Sequence, residues 1–226
     1  MLVINDMPAP IDAALLDLLR QVEPATLGHF LDSGFMDPDL RCVIQDAGIR
    51  AGTAVTLRLP GLDSALEQIA IDRARPGDIL VIDRCGSHIP ACWGGVVAVA
   101  AARAGIAGVI IDGRACDFRE IRESGVNVWC RGPTPVTCRK IGTAGEMNIP
   151  VSCGGVVVRP GDAIVADDSG IFVLPVPGLP AIIERALAMQ RRELTEIMPR
   201  LRAGERLSDI TGVATLIAAS LAAQKA

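Results

Sequence analysis

Two helix starts with opposite chemistry lie one strand apart in this chain. Trp93-Gly94-Gly95 opens a helix of small residues that runs through Ala104. The first amides of such a helix have no partner within it and suit a carboxylate or a phosphate. After the apolar run Ala107-Gly108-Val109-Ile110-Ile111 and the turn Asp112-Gly113, Asp117 falls at the next N-cap position, with Glu120 three residues on. One start offers amide donors and the other offers carboxylates, so the pair could hold an anion beside a cation. Each half also has a plainer reading. Asp117 and Glu120 match a capping box and Gly94-Gly95 matches a turn, and spacing alone favours the plainer readings.

The stretch 93–120 resembles the RraA-like family. That family includes the ribonuclease E regulator and the metal-dependent aldolases of 4-hydroxy-4-methyl-2-oxoglutarate and 4-carboxy-4-hydroxy-2-oxoadipate, which also decarboxylate oxaloacetate. Its signature is Gly or Asp, twenty residues, Arg-Asp, two residues, then Glu or Asp. Here Gly95, Asp117 and Glu120 fill three of the places, and Cys116 stands where the Arg is expected. The resemblance continues through A-V-T-L-R-L-P (54–60), A-R-P-G-D-I-L-V-I-D (74–83) and V-S-C-G-G-V-V-V-R-P-G-D-A-I-V-A-D-D-S-G-I-F-V-L-P (151–175), and it covers about residues 24–200.

The resemblance implies an α/β fold with a swivelling ββα-type core flanked by N- and C-terminal helices. It implies one domain over 1–226: a helical part over 1–50, a sheet core with the site over 51–175, and helices over 176–226. It further implies a homotrimer, or a hexamer built as a dimer of trimers, with sites at subunit interfaces. Asp117 would hold Mg2+ or Mn2+, and the amides of Gly95, Val96 and Val97 would cradle the carboxylate of a 2-oxo acid. A metal-shell Glu would come from a neighbouring subunit's C-terminal helix, where Glu193 falls. The loop 131–135 would lie near the site, which makes Arg131 a substrate-binding candidate.

Cleaving a 2-oxo acid beside its carbonyl requires an electron sink, so that a pyruvate enolate can form. A protein supplies either a lysine Schiff base or a divalent metal. Lys140 is the single lysine in the body of the chain and a weak Schiff-base candidate. Metal polarisation fits better, because a carboxylate such as Asp117 is the hard oxygen ligand that Mg2+ and Mn2+ take. Cys116 cannot donate the forked pair of hydrogen bonds that an arginine gives. Arg114, two residues earlier, is the first candidate to re-enter the site, followed by Arg84 and Arg131. Cys116, Arg114 and Glu120 are thus the catalytic candidates. A thiol beside a helix start could have a lowered pKa, although a small buried replacement for arginine is the simpler role. Three readings follow: a metal-dependent carbon–carbon lyase, a catalytically silent regulatory binding protein, and a relative whose chemistry is redirected through Cys116.

Composition narrows the partners. At 226 residues the chain can bury one core of moderate size. Only 3% of residues are aromatic and none is Tyr, and the net charge is −4; both argue against nucleic acid. The longest apolar candidate for a membrane helix is interrupted by Arg103, Gly105 and Gly108. The first residues lack the basic region and long apolar core of a signal peptide. The seven cysteines contain no Cys-x-x-Cys pair and read as reduced thiols of a cytoplasmic protein. Neither they nor His29 and His88 compose a zinc site.

Periodicity supplies the positioning elements. Helices are predicted over 10–22, 25–30, 64–73, 178–201 and 208–223. Strands are predicted over 53–59, 79–83, 107–111, 126–130, 156–158, 163–166 and 171–174. The loop 84–90 follows a strand and carries His88, the better placed histidine for chemistry. Asp167-Asp168 resembles a metal pair, but turn chemistry explains it better. No phosphate-binding loop, dinucleotide fingerprint or nucleophile elbow is present.

Overall fold

The computed structural model describes residues 1–46, 48–87 and 89–224, so His88 and Lys225 lie outside the described residues. The chain forms two compact units, Met1–Ile183 and Glu184–Ala226. The break falls a few residues after the end of the predicted sheet core.

In the first unit the order is β1 (Leu2–Ile4), α1 (Ala13–Leu19), α2 (Pro24–Leu27), β2 (Arg41–Cys42), β3 (Arg50–Arg58), α3 (Ala65–Arg73), β4 (Ile79–Asp83), α4 (Gly95–Ala104), β5 (Gly108–Asp112), α5 (Phe118–Ser124), β6 (Val128–Cys130), β7 (Gly145–Met147), β8 (Val151–Cys153), β9 (Val156–Val158), β10 (Ala163–Asp167) and β11 (Gly170–Leu174). The helix α6 (Leu179–Arg192) begins here and passes into the second unit. There a π-turn over Glu193–Ile197 leads to α7 (Met198–Arg202), α8 (Leu207–Ile210) and α9 (Val213–Ala223).

β3, β4, β5 and β6 pair in parallel, joined in turn by α3, α4 and α5. Both faces of this sheet are covered, and alternation assigns each residue to one of two cores. Leu80, Ile82, Val109, Ile111 and Val128 pack with Val97, Ala98, Ala101 and Ile121 on the helical side. Ile79, Val81, Ile110 and Trp129 pack on the other side with Ile164, Ala166, Ile171 and Val173. Each such aliphatic side chain contributes about 1.5–3 kcal/mol on burial. β3 bridges two pairings: its first half lies antiparallel to β10 and its second half runs parallel to β4. This is the mixed α/β architecture that the strand and helix pattern predicts.

Several predicted elements differ in detail. The helix over 10–22 shrinks to α1, capped by the Asp12 carboxylate, which accepts from the Leu15 amide at 3.1 Å. Its buried side is Ile11, Leu16, Leu19 and Val22, while Leu18 is 44% exposed. The chain tightens beyond Leu19, where the Gln21 and Val22 amides bond three residues back, and this rotates the inward face. Pro24 opens α2 at its first position, where a missing N–H costs nothing. β3 has no solvent face: Thr53 and Thr56 are buried, with Thr53 Oγ1 accepting from the Ile11 amide and Thr56 Oγ1 donating to Ile149 O. The 208–223 helix is divided at Gly212, which sits at φ +76°. Four short strands, β1, β2, β7 and β8, were not predicted, because pairing partners far along the chain decide segments of two or three residues.

Candidate active site

The carboxyl ends of β4 and β5 bring the two helix starts together, the side of an open parallel sheet where ligands commonly bind. Trp93 and Ala115 form a parallel bridge, and the Cys116 amide donates to Trp93 O at 2.9 Å. At the two glycines the side chains of the second helix start come within contact distance of the first. A Cβ on Gly94 would stand 2.6 Å from Asp117 Oδ2 and 2.7 Å from Cys116 Sγ, and one on Gly95 would stand 2.6 Å from Glu120 Cβ. The Gly-Gly pair is therefore more than a turn.

Asp117 is the N-cap of α5 at φ +53° and ψ +44°, a left-handed conformation that costs a non-glycine residue about 1–2 kcal/mol. Its carboxylate makes no bond to its own helix. Instead, Oδ2 accepts the Gly95 amide at 3.1 Å, so the acid of one helix caps the other. The capping box of Asp117 with Glu120 does not form, since Glu120 turns to Arg119 at 2.7 Å. That guanidinium also holds the Glu120 carboxyl below its ordinary range. The anion cradle is correspondingly smaller than the expected Gly95-Val96-Val97 set. The first turn of α4 is closed by Ala98 N–H to Gly94 O, which leaves the Val96 and Val97 amides without an acceptor.

Among the described residues, no three His, Cys, Asp or Glu side chains are grouped to enclose an ion. A hydrated Mg2+ or Mn2+ needs only one or two carboxylates, its other ligands being water and substrate oxygens. Asp117, whose carboxylate accepts the Gly95 amide through Oδ2, and Glu120 close to Gly95 fit that need.

Cys116, Asp117, Val96 and Val97 line a cleft of about 140 Å3 together with Trp93, Lys140 and Glu67. Cys116 Sγ lies 3.5 Å from Trp93 O. Burial, then the Asp117 carboxylate, push its thiol up to about 11, the opposite of the lowering that a helix start could give. That direction lends no support to an activated thiolate, and Cys116 lines the cleft.

The three candidate arginines point elsewhere. Arg84 is fully buried and donates to Leu59 O and Gly61 O, both at 2.6 Å, pinning the turn after β3. Arg131 is paired on both sides, to Asp112 at 2.5 Å and to Asp37 at 2.7 Å. Arg114 donates to the carbonyl oxygens of Arg131 and Pro133. Arg114 and Arg131 line a separate and larger cavity of about 620 Å3, with Arg41 and Phe118. Neither lines the cleft at Cys116. The larger cavity lacks Asp117, Val96 and Val97, which the smaller cleft contains.

Lys140 is positioned by Asp63. That carboxylate accepts from the amides of Ala65, Ile141, Gly142, Thr143 and Ala144. Burial alone would raise the Asp63 carboxyl, but these amides outweigh it and hold it far below the usual range. Asp167 and Asp168 behave as turn residues, accepting from the amides of Ser169 and Asp46.

Glu67, in the first turn of α3, was not predicted. It is 3% exposed, and its Oε2 has no hydrogen-bond partner. Burial pushes its carboxyl up to about 8, against the opposing effects of Ser64, Lys140 and Arg84. Nothing in A-L-E-Q-I-A-I-D marks this acid, since a glutamate in a first helical turn ordinarily faces water and the helix dipole.

Comparison with known proteins agrees with this geometry. The family profile RraA-like, described as Aldolase/RraA, matches residues 13–173. A putative 4-hydroxy-4-methyl-2-oxoglutarate aldolase of Halalkalibacterium halodurans is 37% identical over 139 residues, which is 62% of this chain and 66% of that one, just under two thirds of its length. A 4-hydroxy-4-methyl-2-oxoglutarate aldolase of Thermus thermophilus is 35% identical over 127 residues, 56% of this chain and 76% of that one. The crystal structure of Streptomyces coelicolor RraAS2, described as an unusual member of the RNase ES inhibitor RraA protein family, superposes with a TM-score of 0.73 at 30% identity, covering 83% of this chain and 98% of that one. With the profile spanning the sheet, both helix starts and the cleft between them, this chain belongs to the RraA-like family.

Proposed function

We propose that this protein is a metal-dependent carbon–carbon lyase that cleaves a 2-oxo acid, by retro-aldol reaction or decarboxylation, through a pyruvate enolate. The observation that carries this reading is the cleft itself. Val96 and Val97, whose amides have no acceptor among the described residues, line the same cleft as Asp117. The amides and the positive end of α4 bind the carboxylate of the acid. Asp117, with Glu120 near it, holds Mg2+ or Mn2+, and the bound ion supplies Lewis-acid polarisation of the 2-oxo group. The Gly95 amide, by bonding Asp117 Oδ2, holds the carboxylate in place beside the start of α4. Trp93 and Cys116 form walls that limit water at the reacting carbon, and Lys140 at the rim attracts the anion.

The working assembly we infer is a homotrimer or a hexamer, with Glu193 of a neighbouring subunit completing the metal shell. The exposed Val213, Leu216, Ile217 and Leu221 of α9 support association. Seven unpaired cysteines support a reducing compartment such as the cytoplasm. Among the described residues no helix is long and apolar enough to cross a membrane.

Oxaloacetate decarboxylation, followed with Mg2+ and again after EDTA, tests the proposal. Pyruvate release that requires the metal is the expected result. If no 2-oxo acid is turned over with Mg2+ or Mn2+ present, the lyase reading fails and a silent binding protein takes its place, the reading that Cys116 in the arginine position favours.

A further inference from the structure

The cleft contains a buried acid that its assigned chemistry leaves unused. Glu67 is 97% removed from solvent by its 3% exposure, and Oε2 meets no donor or acceptor among the described residues. An orphaned polar atom in a folded interior costs about 1–3 kcal/mol unless something else satisfies it. The indole Nε1 of Trp93, lining the same cleft, is orphaned too. Glu67 and Trp93 both line this one cleft, and the two unsatisfied atoms buried beside it point to a polar ligand.

The surroundings define which form of the acid is present. Ser64, which begins the same helix, bonds the carboxyl, Lys140 lines the cleft, and Arg84 donates to Leu59 O and Gly61 O while its Nε has no partner. Cys92, Cys116 and Cys138 complete the ring, and burial pushes all three thiols up, so they stay protonated and bring no charge near neutral pH. No cation contacts the Glu67 carboxyl closely enough to bond it. A carboxyl in this position keeps its proton near neutral pH and becomes a hydrogen-bond donor, the use to which apolar enzyme sites put such acids.

Building on the lyase reading, we propose that neutral Glu67 donates its O–H to an oxygen of the bound 2-oxo acid. It is a substrate-contacting residue of the cleft that Val96 and Val97 also line, where Lys140 is the one cationic lining residue among those described. The donor strengthens as negative charge develops on the substrate oxygen, and it is lost when the carboxyl ionises.

Calorimetric titration of the full-length chain with pyruvate in Mg2+ buffer, at pH 6.5 and pH 9, tests this in the parent, Glu67→Gln and Glu67→Leu. The parent is expected to bind about 10-fold more weakly at pH 9, as one charge-assisted hydrogen bond is lost. Glu67→Gln keeps an N–H donor, so it should stay within a few-fold of the parent at pH 6.5 and lose the pH step. Glu67→Leu should bind about 10-fold more weakly at pH 6.5 and show no step. Melting curves confirm that each variant is folded. Parental affinity in Glu67→Leu, the same pH step in Glu67→Gln, or no pyruvate binding by the parent overturns the assignment. Binding without turnover of any 2-oxo acid instead removes the lyase reading and leaves the Glu67 contact standing. Turnover that Glu67→Leu retains in full removes the contact and leaves the lyase.

Discussion

Two charged regions flank the end of β5 and obey opposite rules. On one side Arg131 joins Asp112 and Asp37, Asp112 also accepts from the Gly154 amide, and Arg114 is engaged by two carbonyl oxygens. On the other side, among the described residues, the Val96 and Val97 amides and Glu67 Oε2 have no partner, while Ser64 bonds the Glu67 carboxyl. The first region is larger as a cavity, yet its charges are already spent on one another. The second is smaller and open in its chemistry. Pairing marks charges that hold the loops after β5 and β6; lack of pairing marks groups kept for a ligand, at a cost to stability.

The contrast is broken most severely at Asp117. Asp117→Ala should lower metal-dependent turnover about 1000-fold, roughly 4 kcal/mol, with little change in fold. Steady-state kinetics with circular dichroism checks both halves; full turnover would place the metal elsewhere.

Glu67 gives the next largest effect, read as stability. In the folded chain its carboxyl keeps its proton up to about pH 8, against an ordinary 4.5 when unfolded. Between those values the unfolded chain binds fewer protons, so stability falls as pH rises through that window. Urea midpoints between pH 4.5 and pH 9 should therefore be flatter for Glu67→Gln, with the variant ahead at pH 9.

The paired region should respond the other way. Arg131→Met leaves Asp112 and Asp37 uncompensated and should cost about 1–3 kcal/mol, a drop in Tm of several degrees. Turnover per folded molecule should change less than threefold. A large kinetic loss with an unchanged Tm would merge the two regions into one site.

Position 116 should give the smallest effects. Cys116→Arg would place a guanidinium within reach of Glu67, so the single change should gain little. Paired with Glu67→Gln it should raise pyruvate release about 10-fold. Cys116→Ser should shift turnover less than threefold, because the thiol stays protonated up to about pH 11. A profile that loses activity in Cys116→Ser would restore the thiol as a participant.

The elements that needed only local information were legible. Ile79–Asp83, the helix closing at Gly105 and the helix after Ser64 fall where apolar periodicity and cap residues place them. Gly94, Gly95, Cys116 and Asp117 were also legible as a group, since both helix starts are written in one short stretch. The roles of Arg84, Arg114 and Arg131 were not, because a long side chain can turn to either side of a strand end. Their partners, Leu59 O, Pro133 O and Asp37, come from other loops.

Within the chain's own order of residues lie the parallel strands with their crossover helices, and the glycines that let the two helix starts touch. Those follow from backbone preferences and the alternation of apolar side chains, which act over a few residues. Tertiary packing alone decided that Asp117 caps the neighbouring helix instead of its own, and that Glu67 is shut away from water. Both depend on distances between segments that no local pattern encodes. The same LEQIA turn on an exposed helix would carry an ordinary ionised glutamate, and burial in the fold is what raises its carboxyl here.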